Sequence, residues 1–74
     1  MDENELKNRL IQENADFKKA FQLHQECETR LRELSDKTFL TEVEEREQKE
    51  TKKKKLALKD KMYFLITEYK KTSD

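Results

Sequence analysis

Neither glycine nor proline occurs in the 74 residues, and one seam of side chains recurs at alternating steps of four and three. Leu6, Leu10, Glu13, Phe17, Ala20, His24, Cys27, Leu31 and Leu34 hold it in the first half. Thr51, Lys55, Leu58, Met62, Leu65 and Tyr69 hold it in the second. A half-buried strand would repeat every two residues; steps of three and four mark one face of an α-helix lying along another helix. With no residue that breaks a helix outright, the spacing predicts an all-α fold. Its architecture is an antiparallel two-helix hairpin, coiled-coil-like, in a single domain over 1–74.

The first helix is expected over about 3–35, opened by Asp2 with Glu5 at capping-box spacing. Ser35, Asp36, Lys37 and Thr38 form the one central cluster of turn-favouring residues, giving a turn over about 36–41. Thr41-Glu42-Val43-Glu44 is a capping box, so the second helix is expected over about 42–71, before the polar tail Thr72-Ser73-Asp74. Folding the halves together pairs Leu6 with Tyr69, Leu10 with Leu65, Phe17 with Leu58 and Ala20 with Lys55. Near the turn, Leu31 and Leu34 need Phe39, Leu40 and Val43 as cover.

Charged residues make up 46% of the chain and hydrophobic ones 32%, which leaves little apolar area for a core. A single cysteine gives no internal disulfide, so self-association is the expected source of further stability. From Glu44 to Lys55 nothing is more apolar than Thr51, while Ile11, Phe21, Leu23, Phe64 and Ile66 fall off the seam. A homodimer with a four-helix arrangement would cover them, and Phe21, Leu23, Phe64 and Ile66 are the candidate self-association or partner face.

Asn14-x-x-Phe17, His24 seven residues on, and the later block Lys52-Lys53-x-Lys55-Leu56-x-Leu58-Lys59-Asp60-x-Met62 resemble the bacterial YdcH-like family of small proteins of unknown function. The likeness runs from about Leu6 to Lys70, and its signature residues are Asn14, Phe17, His24, Lys55, Leu56, Leu58, Lys59, Asp60 and Met62. Thr51 departs from the pattern, which favours a larger apolar residue there. The resemblance implies a helical hairpin in a bacterial cytoplasm and carries no activity with it.

Equal counts of 17 basic and 17 acidic residues give no overall attraction to nucleic acid or anionic lipid. The local exception is Lys52-Lys53-Lys54-Lys55, the candidate nucleic-acid contact. Four consecutive lysines point around most of a helix and follow Glu42, Glu44, Glu45, Glu47 and Glu50, so a solvated face is the simpler reading. His24 and Cys27 share a face, but one His and one Cys are half of a zinc set, so no metal or cofactor is expected. Phe17, Phe21, Tyr63, Phe64 and Tyr69 at helical spacing read as core. Lys59, Asp60, Lys61 and Glu68 read as solvated pairs. Two helices alone enclose no pocket, so neither enzymatic chemistry nor a small-molecule substrate is expected.

The acidic opening Met1-Asp2-Glu3-Asn4-Glu5 lacks the form of a secretory signal, and the apolar run Tyr63-Phe64-Leu65-Ile66 is too short to span a bilayer. The amphipathic stretch from Lys59 to Lys71 has the form of a membrane-surface helix, but the hairpin needs the same face. A cytoplasmic location is expected. The function these features favour is an adaptor-like protein, structural in role, that binds itself or another helical protein. Nucleic-acid binding is the alternative, and an enzyme accessory subunit without chemistry of its own a third.

Overall fold

The computed structural model describes residues 2–73. It contains three α-helices: α1 (Glu3–Glu13), α2 (Ala15–Ser35) and α3 (Glu42–Ser73). The all-α class stands, but the two-helix plan does not, because the first predicted helix is interrupted at Asn14. There the backbone turns extended, with φ −124° and ψ 109°. Asn14 closes one helix and opens the next. Its N–H donates to the Leu10 carbonyl at 2.8 Å, and its side-chain oxygen accepts from the Phe17 N–H at 3.0 Å. Asparagine is a poor interior helix residue and a strong N-cap, and Asp16 adds a carboxylate at the positive end of α2.

The break reverses the path of the chain. At ~1.5 Å per residue, an unbroken helix would set Glu3 about 30 Å from His24. Here Glu3 and Lys7 border the same cleft as Phe21 and His24, so α1 folds back over α2. The 32-residue α3 accounts for the 49 Å long axis, and the other two dimensions, 18 and 16 Å, are nearly equal, as three helices side by side make them. Burial decides between bent and straight. Leu6 and Leu10 sit in one core cluster with Phe17 and Ile66, and each such leucine contributes roughly 1.5–3 kcal/mol when removed from water. That exceeds the few tenths of a kcal/mol by which helix propensity tells most residues apart.

All buried residues of α1 and α2 (Leu6, Leu10, Phe17, Ala20, Cys27 and Leu34) lie on the predicted seam. In α3 the buried residue among those described is Ile66, which the spacing had put off the seam. The register moves with it. Lys55 meets Glu28 at 3.5 Å rather than lying opposite Ala20, and Arg30 meets Glu47 at 2.8 Å, so α2 and α3 run antiparallel. Packing at the connection also differs from expectation. Leu40 is half-buried, but Phe39 and Val43 remain 85% and 74% exposed and cover nothing.

The Thr41 capping box forms as predicted, with Glu44 N–H donating to Thr41 Oγ1 and Thr41 N–H to Glu44 Oε1, both at 3.1 Å. Asp2 caps α1 by accepting from the Glu5 N–H at 2.8 Å. The last helix runs beyond the expected end at 71 to Ser73, helped by Thr72 Oγ1, which donates to the Tyr69 carbonyl at 3.0 Å. Asp74, the end of the predicted tail, lies outside the described residues.

Candidate functional site

Folding α1 back creates what a hairpin lacks: a concavity with three walls, about 210 Å³ in volume. α1 contributes Glu3 and Lys7; α2 contributes Phe17, Phe21 and His24; α3 contributes Lys59, Met62, Tyr63 and Ile66. The expectation of no pocket is thereby corrected, since it assumed two helices. Phe17 and Ile66, both buried, make the apolar base. Charge lies at the rim, where the Lys7 ammonium stands 3.9 Å from the Glu3 carboxylate. A larger concavity along Gln22, Gln25, Thr29 and Glu33 belongs to the polar side of α2 alone and has no opposing wall.

His24 stands in the α2 wall of this cleft. Its Nδ1 lies 3.9 Å from Glu28 Oε1, beyond hydrogen-bond reach, and its Nε2 is buried with no hydrogen-bond partner. Buried polar atoms normally find partners, so an orphaned imidazole nitrogen in a cleft wall is a chemical feature in its own right. Cys27 is buried on the same face. Among the described residues, no group of three or more His, Cys, Asp or Glu is placed to hold a metal ion.

Away from the cleft, ion pairs take over where α3 lacks apolar residues. Arg30 grips Glu47 with two hydrogen bonds, Nε to Oε2 at 2.9 Å and Nη2 to Oε1 at 2.8 Å, and its Nη1 donates to Glu33 at 3.1 Å. This planar fork joins α2 to α3 where the α3 side of the seam offers only polar side chains. Both carboxylates raise the Arg30 pKa, Glu47 most, and Arg30 in turn holds the Glu47 carboxyl below its ordinary range. Lys37, followed by the Thr41 N–H, lowers Glu44 from its ordinary 4.5 to about 2.

A stability consequence follows for pH. The folded Glu44 pKa lies below the unfolded value, so its contribution is complete above pH 4.5 and disappears as pH falls towards about 2. Glu47 acts in the same direction. A melting series is expected to show Tm falling through this window, with a shallower fall for Lys37→Ala. An unchanged acid slope in Lys37→Ala would remove Glu44 from the account.

The candidate partner face does not stay together. Phe64 is 61% exposed, but Phe21 is half-buried against the core, Leu23 is half-buried, and Ile66 is a core residue. The exposed large apolar residues of α3 are Val43 at its start and Leu56, Tyr63 and Phe64 further along, which corrects the reading of Tyr63 and Phe64 as core. Of the lysine run, Lys52, Lys53 and Lys54 are exposed, while Lys55 is half-buried and paired with Glu28.

Among the signature residues, Phe17, His24, Lys59 and Met62 gather at the cleft. Asn14 makes the bend that forms it, whereas Leu56 and Asp60 face solvent and Leu58 is half-buried. No protein-family model, curated protein or solved structure matches this chain. Sequence reasoning missed Glu3, Lys7 and Tyr63 as cleft residues. The signal that would have found the first two is Asn14 followed by Asp16, an N-cap with an acidic first turn in the middle of a helical pattern. No described helix is long and apolar enough to cross a membrane.

Proposed function

We propose that this chain is a non-catalytic helical interaction module that acts through the outer face of α3, with a second copy of itself as the first partner. The observation that carries the reading is the exposure of Leu56, Tyr63 and Phe64, at 61%, 72% and 61%. Positions i, i+7 and i+8 share one side of a helix, and large apolar groups concentrated there fit helix-to-helix docking.

Charge favours an antiparallel mate. The start of α3 carries Glu42, Glu44, Glu45, Glu47 and Glu50, and its middle carries Lys52 to Lys55, Lys59 and Lys61. A two-fold axis passing near Asp60 would set Leu56 against Phe64 of the second copy, with Glu50 facing Lys70 and Lys52 facing Glu68. Opposite charges then meet on both flanks of an apolar centre, an arrangement that selects orientation. YdcH-like membership and a bacterial cytoplasmic setting are part of the same proposal.

Sedimentation equilibrium tests it. The native chain is expected to dimerise, and Leu56→Asp and Phe64→Asp to be monomeric with unchanged helix content. A native chain that stays monomeric at millimolar concentration contradicts self-association.

A second reading draws on Lys52, Lys53 and Lys54, which are exposed and have no ion pair among the described residues. A phosphate-backbone contact there would weaken steeply with salt. Absence of salt-dependent binding to a random duplex at low ionic strength would eliminate it.

A further inference from the structure

We propose that the cleft closed by α1 binds a small amphipathic carboxylate, with the apolar body on Phe17, Phe21, Met62 and Ile66 and the carboxylate taken by His24 and Lys59. Tyr63 borders both this cleft and the outer face of α3, but ligand binding here does not require that face to dock.

Three observations converge on that class of ligand. The first is size and lining. The open cleft offers about 210 Å³ between three helices over an apolar base, and about 150 Å³ of apolar space already admits benzene. A single ring, or a chain of about six carbons, with a carboxylate attached is the matching scale. Mostly apolar pockets with a few convergent polar groups are the usual form of small-ligand sites.

The second is the orphaned Nε2 of His24, a buried hydrogen-bonding atom that no protein group satisfies. Glu28 lies on the Nδ1 side of the ring. A ring nitrogen that carries a proton is a donor, and an anionic ligand oxygen drawn against Nε2 would be the acceptor it lacks.

The third is the charge of the rim. Lys7 and Lys59 supply two ammoniums there against the single carboxylate of Glu3, which stands beside Lys7. Lys59 has no acidic partner among the described residues. It is the cation free to meet a ligand carboxylate, while the apolar base disfavours a fully hydrated anion such as phosphate.

The test is an NMR titration of the ¹⁵N-labelled full chain with hexanoate and with phenylacetate, using 1-hexanol and inorganic phosphate as controls. Saturable shifts are expected at Phe21, His24, Lys59 and Tyr63, including the His24 imidazole signals. Binding of 1-hexanol should be weaker by about tenfold or more, the factor that ~1.4 kcal/mol of lost charge recognition gives, and phosphate should not bind. Lys59→Glu alters an exposed side chain and leaves the core intact. It should reduce hexanoate affinity at least as much, and Phe21→Trp should fill the cleft and abolish binding. The proposal is overturned by any of three results: no saturable shift with either carboxylate, equal affinity for hexanol and hexanoate, or unchanged affinity in Lys59→Glu.

Discussion

Phe17→Ala is expected to unfold most of the population at room temperature. Phe17 is 1% exposed, stands at the first turn of α2 and joins Leu6, Leu10 and Ile66 in the core cluster. Truncating a buried phenylalanine costs about 3–5 kcal/mol, because the transfer energy is lost and a cavity remains. A domain of this length has a total stability of roughly 4–11 kcal/mol at the usual per-residue values, and a chain with so small a core belongs at the lower end. The loss therefore matches the whole margin. Urea unfolding followed by circular dichroism measures it directly. Phe39→Ala provides the contrast: that ring is 85% exposed, and its removal should leave the midpoint nearly unchanged.

The second large effect concerns the bend. Asn14→Ala removes the oxygen that accepts the Phe17 N–H and replaces a good cap with the best helix former. The direct cost is about 1 kcal/mol. The larger consequence is competition between two states. A continuous helix becomes easier to form, and in it Leu6 and Leu10 would leave the core. Amide hydrogen exchange along α1 reads this out, with faster exchange from Glu3 to Glu13 expected in Asn14→Ala. Asn14→Asp keeps a capping oxygen and should retain the native protection pattern. If α1 exchanges equally fast in the native chain and in Asn14→Ala, docking of α1 does not depend on the cap.

What the sequence makes legible is decided by local chemistry. The capping residues Asp2 and Thr41 work as their spacing says, and the seam from Leu6 to Leu34 names every buried residue of α1 and α2. Hydrophobic spacing records which face of a helix is inward. It does not record whether that helix is continuous, because α1 and α2 keep the same inward seam on both sides of the break. One residue, Asn14, makes the difference, and its weak propensity signal gains force only when the burial of Leu6 and Leu10 is added. Sequence spacing alone cannot supply that tertiary term.

The cleft was invisible for the same reason, since its third wall exists only after the bend. In α3 the errors have another source. With a fully polar middle from Glu44 to Lys55, the register is set by Arg30 with Glu47 and Glu28 with Lys55, not by apolar spacing. Long flexible side chains can pair across several registers, so charge patterns do not fix one in advance. The shift brings Ile66 into the core and leaves Tyr63 and Phe64 outside.

The fold-back of α1 underlies both the core and the cleft, and a distance between spin labels tests it most directly. Labels at Glu3→Cys and Gln25→Cys, in a Cys27→Ala background, span the bend. An unbroken helix at ~1.5 Å per residue would hold these positions about 33 Å apart. The fold-back predicts strong dipolar coupling at well below that separation, unchanged by Asn14→Asp. A single population near the straight-helix distance would contradict the three-helix fold and, with it, the cleft.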